Sequence, residues 1–154
     1  MEPFYAALYE RLSDVHAELE RCLDGAPPEA LDWSPGPEMN SLAVLAAHVA
    51  GAERYWIGDV VGGEPSNRVR EREFETAGQT AAALKERLAQ SLAHSRSVLE
   101  RLTHADLGRE VYSSRHQSAY SLAYALLHAL DHSAEHMGHM QMVRQLWEQR
   151  NPAP

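Results

Sequence analysis

Cysteine is nearly absent from this chain: the single one, Cys22, has no partner for an internal disulfide, so a reducing, cytoplasmic setting is expected. Long apolar runs are missing as well. No stretch approaches the roughly 20 apolar residues that cross a bilayer. Met1-Glu-Pro-Phe-Tyr5 has neither the basic start nor the apolar segment of a secretory signal. Export and membrane insertion are therefore not expected. Basic residues are in deficit, 14 Lys and Arg against 22 Asp and Glu for a formal charge of −8. That balance argues against nucleic acid as a partner, because a grip on a phosphate backbone needs clustered positive charge. The one basic run, Arg68 to Arg72, is interrupted by Glu71 and followed by Glu73 and Glu75, which reads as a solvated loop. Strand patterns are almost absent too, so helices must bury the core.

What is present is helical periodicity, punctuated four times. At 154 residues the chain suits a single domain, residues 1–154, large enough for a core without staples. The first helix is expected from Pro3 to Gly25, with Phe4, Leu8, Leu12, Val15, Leu19 and Cys22 or Leu23 inward. Pro27-Pro28 forbids continuation. Asn40 or Ser41 is the expected N-cap of a second helix with the stripe Leu42, Leu45, Val49, Ala52, Trp56, closed by Gly62-Gly63 and Pro65. Thr76-Ala-Gly-Gln79 reads as a capping box for a third helix through Leu84, Leu88, Leu92, Ser95, Leu99 and Leu102. The fourth runs from about Ser118 to Glu148, and Asn151-Pro152 stops it. Four amphipathic helices can bury their stripes only against one another, so the expected class is an all-α four-helix bundle.

The last helix carries an unusual load of imidazoles. His128, His132, His136 and His139 follow at spacings of four, four and three, which stack side chains along one helical face. His136 falls on the inward seam and His132 about 40° from it at roughly 100° per residue. His128 and His139 lie nearer the edge of the stripe. Neutral imidazole is the commonest metal ligand at neutral pH, yet two of them leave an ordinary site incomplete. His48 is the candidate for the missing group: it sits beside the buried stripe of the second predicted helix in the small, apolar run Val44-Leu-Ala-Ala-His-Val-Ala-Gly51, where a lone histidine is either a satisfied core residue or, paired with His132 and His136, a ligand. Three histidines from two helices would hold one divalent metal and leave a coordination position for water, a thiolate or substrate.

Asn40-Ser-Leu-Ala-Val-Leu-Ala-Ala-His48, Glu53-Arg-Tyr-Trp56 and His132-Ser-Ala-Glu-His136-Met-Gly138 together resemble the DinB/YfiT-like family of metalloenzymes, which carry one histidine on the second helix and an H-x-x-x-H pair on the last. Leu31-Asp-Trp-Ser-Pro35 is similar to the family's connector between the first two helices. The sequence departs from the pattern at His139, where many members have glutamine. The resemblance implies that His48, His132 and His136 are the metal ligands, that the ion is zinc or nickel, and that the bundle is a homodimer. It also implies a small-molecule substrate, since some relatives are thiol-dependent S-transferases or isomerases using mycothiol or bacillithiol.

Other readings of the same residues bear on function. His132-Ser-Ala-Glu135-His136 matches the H-x-x-E-H string of inverted zincins, in which Glu135 would be the general base. Only 18 residues follow His136, which leaves little room for the separate glutamate ligand expected of such a peptidase. A ferritin-like di-iron centre is excluded, because no glutamate stands three residues before any of the four histidines. Haem ligation lacks Cys-x-x-Cys-His. Two classes remain: an enzyme using the metal to activate a thiol or water, as an S-transferase or hydrolase, and a non-catalytic metal-binding or stress-response bundle in which the metal ties two helices together.

Overall fold

A computed structural model describes residues 1–152 and has the architecture of a four-helix bundle. In chain order the elements begin with α1 (Pro3–Leu23), short α2 (Pro28–Asp32) and α3 (Leu42–Glu53), which passes into a π-helical segment (Arg54–Val61). They continue with one-turn α4 (Glu71–Phe74), α5 (Ala81–Leu99), a 3-10 turn (His104–Gly108), strands β1 (Glu110–Ser113) and β2 (Ser118–Ser121), and α6 (Leu122–Arg150). Helices α1 and α3 each pack against both α5 and α6 and touch one another little, so they occupy opposite corners of the bundle.

The first helix keeps its expected bounds. Pro3 opens it, and Gly25 at φ +61° supplies the left-handed residue just past its end. Its buried face differs at two places: Tyr5 is fully buried, with its hydroxyl donating to the Thr103 carbonyl at 2.7 Å, while Phe4 is only partly covered, and His16 is buried beside Val15. Ser41 is the cap of α3, accepting from the Val44 amide at 3.2 Å. That helix was expected to be amphipathic. It is buried on almost every side, from Leu42 to Ala50 without interruption, as befits a helix of small and apolar residues enclosed by α5, α6 and the connectors.

Three further expectations are corrected. The third long helix begins at Ala81, not in the Thr76-Ala-Gly-Gln79 string, because Gly78 stands at φ +67° and breaks the helical path; Thr80 is the cap, accepting from Ala83 N at 3.1 Å. Residues 118–121 do not start the last helix. They form β2, paired antiparallel with β1 from Glu110↔Ser121 to Ser113↔Ser118, and Ser121 then caps α6 through the Tyr124 amide at 3.2 Å. The connector from Arg68 to Glu75 is not a solvated loop. It winds through α4, folds onto α3 and buries Glu73.

Deep in the bundle a polar cluster joins three helices. His16 of α1 donates from Nε2 to Glu53 Oε2 at 2.6 Å, and Ser95 of α5 donates to Glu53 Oε1 at 2.7 Å. Glu53 is the last residue of α3, so this cluster pins the point where α-helix gives way to π-helix.

Candidate metal centre

His48 projects from the middle of α3, and His132 and His136 project one turn apart from α6. Their ring centroids form a near-equilateral triangle with sides of 5.0, 4.9 and 4.5 Å. Each ring offers one nitrogen that lies within 4.8 Å of the other two, and this is the group among the described residues arranged so that it could hold a metal. All three residues that the sequence nominated as ligands are thereby brought together. Glu135 is not: it is exposed on α6 and lies outside the group.

The electrostatics suit metal binding. Burial, followed by the neighbouring rings of His136, His48 and His128, lowers the His132 pKa to about 3. Burial, followed by His48 and His139, lowers that of His136 to about 4. Both rings are therefore neutral at physiological pH, with lone pairs free for a cation. His132 Nδ1 is buried with no hydrogen-bond partner, which suits a nitrogen meant for a ligand that is not a proton donor. The three imidazoles thus fit a divalent ion by donor type and position, and His132 and His136 also by charge state.

His48 is held by groups that its helix does not provide. Its Nδ1 donates to Glu73 Oε2 at 2.9 Å, which reserves Nε2 for a metal in the manner of a carboxylate–histidine–metal triad. Arg68 grips the same carboxylate with a fork, Nε to Oε1 at 2.6 Å and a terminal nitrogen to Oε2 at 2.8 Å. Burial pushes the Glu73 pKa up, but the hydrogen bonds from Arg68 and His48 outweigh it and leave the carboxyl below its ordinary value. Gly51 makes room for this arrangement, since a Cβ there would stand 2.0 Å from Glu73 Oε1. Glu73 and Arg68 were not among the residues that the sequence nominated. The one trace of them was a glycine a turn beyond His48, on a face that needed a close approach.

The outer histidines have separate places. His139 is exposed and shares a hydrogen bond of 3.1 Å between its Nδ1 and that of His136; when His136 donates, its own Nε2 remains available. His128 leans on Trp56 of the π-helical segment, ring centroids 4.5 Å apart, and its centroid is 6.2 Å from that of His132. Cys22 is buried away from the group, with burial pushing its thiol up to about 11, so it is a packing residue and not a nucleophile.

The DinB superfamily profile matches residues 11–140, from α1 into α6. Comparison with curated proteins finds no match. Among solved structures, a conserved protein from Enterococcus faecalis aligns with a TM-score of 0.75 at 17% identity, covering 95% of this chain and 98% of that one. YfiT from Bacillus subtilis, described as a "probable metal-dependent hydrolase with an unusual four-helix bundle topology", aligns with a TM-score of 0.73 at 14% identity, covering 96% of this chain and 90% of that one. These two likenesses share the fold across nearly the whole chain, and the profile match runs through all three histidines. The chain belongs to the DinB superfamily.

Proposed function

We propose that this protein is a metal-dependent hydrolase of a small molecule, with His48, His132 and His136 holding a zinc or nickel ion. The observation that carries the reading is the convergence of three imidazoles from two helices on one point, with only three protein ligands to fill a coordination sphere that takes four or more. The description of YfiT, a protein of the same fold, supports the same chemistry. A divalent ion held there supplies Lewis acidity, which brings the pKa of a coordinated water or thiol toward neutrality. Glu73 fixes the tautomer and orientation of His48, Arg68 holds Glu73, and burial keeps His132 and His136 unprotonated.

The test uses protein purified without a His-tag and loaded with zinc or nickel, assayed against esters and amides in water, then against electrophiles with mycothiol, bacillithiol or glutathione. Hydrolysis without thiol, lost on chelation and in His132→Ala, is the expected result. Turnover only with a thiol would replace the hydrolase by an S-transferase, and metal binding with neither would leave a structural ion.

The proposal includes a cytoplasmic homodimer. Among the described residues no helix is long and apolar enough to cross a membrane. Tyr124 and Leu127, 50% and 53% exposed, border a groove between α1 and α6 that a second copy would cover. Light scattering at micromolar concentration should give twice the chain mass; a monomer would remove this part of the reading.

A further inference from the structure

Beside the three histidines lies a pocket of about 150 Å³ whose wall is cationic. Besides His48 and His132 it is lined by Arg68 and Arg70 of the connector and by Arg115 and His116 of the turn between β1 and β2. No carboxylate contributes to the lining, in a chain with a formal charge of −8. Arg68 is matched by Glu73 behind it. Arg70 and Arg115 are different, because neither guanidinium enters an ion pair among the described residues.

Arg70 is held through its guanidinium, and Arg115, an exposed residue, through its backbone. The Arg70 guanidinium lies over the Phe74 ring, 4.5 Å from its centroid, and Phe74 in turn lies against His48, centroids 5.1 Å apart. The backbone amide of Arg115 donates to the Tyr55 hydroxyl at 3.1 Å, and Tyr55 shares a second hydrogen bond of 2.7 Å with Ser113. His116 is stacked on Trp56, centroids 5.1 Å apart at 18°. The turn is thus pinned to the π-helical segment, so its arginine belongs to the pocket wall. Burial first, then the positive charges of Arg115, His128 and Arg68, hold the His116 pKa below its ordinary value.

We infer that this pocket binds an anionic oxygen group of the substrate, a carboxylate or a phosphate, with Arg70 and Arg115 as its hydrogen-bond donors. The inference rests on the proposed metal site in that the substrate's reacting bond would then face His48, His132 and His136. Two guanidinium groups beside a divalent cation repel one another until an anion enters, and planar guanidinium forks match the oxygens of both groups. The chemistry named is therefore a small molecule carrying its negative charge next to the bond that is cleaved or transferred.

The test uses three short alkyl hydroxamates of equal length that end in a carboxylate, a phosphonate or a neutral carboxamide, titrated into the zinc-loaded protein by calorimetry. At least one anionic probe should bind about tenfold or more tighter than the carboxamide, and the tighter of the two identifies the anion. In the double variant Arg70→Gln/Arg115→Gln that preference should fall to about twofold or less with zinc content and carboxamide affinity unchanged. Equal affinity for all three probes, or a preference that survives the double substitution, would overturn the inference. A second arm needs no metal: inorganic phosphate titrated into the metal-free protein should move the Arg115 and His116 amide resonances saturably, and the double variant should lose the effect. Absence of a saturable shift, or its persistence in the variant, counts against the pocket itself. Loss of zinc binding with the phosphate effect intact counts against the metal reading alone.

Discussion

His16 and His48 each donate a ring N–H to a buried glutamate, yet the two pairs occupy different kinds of place. His16 meets Glu53 at 2.6 Å, Ser95 takes the other carboxylate oxygen, and none of the three is more than 1% exposed. Its remaining nitrogen, Nδ1, is buried among helices without a partner. His48 meets Glu73 at 2.9 Å, and its ring lies within 5.0 Å of two further imidazoles and beside a pocket. A buried histidine–glutamate pair, even one with an orphaned nitrogen, is therefore no sign of a site. What distinguishes His48 is that its free side meets other donors and open space, whereas His16 only locks α1, α3 and α5 together.

Breaking the two pairs should separate stability from binding. Glu53→Ala removes one member of a sealed polar cluster and leaves His16 and Ser95 buried without their acceptor, so it should cost about 3–5 kcal/mol in urea unfolding. A loss below about 1 kcal/mol would mean that the cluster does not lock the helices. Glu73→Gln should instead reach the metal: zinc affinity should fall about 10- to 100-fold, with a stability cost of its own because the nearly buried Arg68 guanidinium loses its carboxylate. Calorimetry showing unaltered zinc affinity would deny Glu73 its part in orienting His48.

The pH response sharpens the same contrast. In the folded chain His132 titrates at about 3 and His136 at about 4, burial being the first cause of each, whereas an unfolded histidine titrates near 6.5. Between the folded and unfolded values the unfolded chain binds more protons. Stability contributed by the neutral pair is therefore fully present above pH 6.5 and is lost as pH falls toward the folded values. Metal binding requires the same neutral rings, so a chelator should lower the melting temperature of the zinc-loaded protein at about pH 7.5 and have much less effect at about pH 5. Identical melting curves at the higher pH, with removal of metal confirmed, would contradict a stabilising role for the ion.

The ligands were legible because helical spacing places His132 and His136 together and a lone polar residue in the apolar run around His48 needs an explanation. The bundle was legible for the same reason: Leu8, Leu12, Leu19, Leu84, Leu88, Leu122 and Leu126 repeat at turn spacing and are buried. The support of the site was hidden. Glu73 and Arg68 reach His48 across a connector with no period, and a run of alternating charges looks solvated until tertiary contacts bury one member. Thr76-Ala-Gly-Gln79 imitates a cap while Gly78 turns the chain away, and Ser118 to Ser121 continues the helical stripe of α6 while its backbone pairs with β1. In both cases a local pattern was overruled by backbone geometry that residue type alone does not reveal.

The central claim is that three imidazoles, and not the histidine–glutamate pairing as such, make the metal centre. Titration of zinc into metal-free, untagged protein by calorimetry, run on the wild type, His48→Ala and His16→Ala with folding checked by circular dichroism, tests it most directly. The wild type should bind zinc tightly, His48→Ala should fold and lose that binding, and His16→Ala should lose stability while its folded fraction still binds zinc. Zinc binding by folded His48→Ala at wild-type affinity, or its loss in folded His16→Ala, would contradict the account.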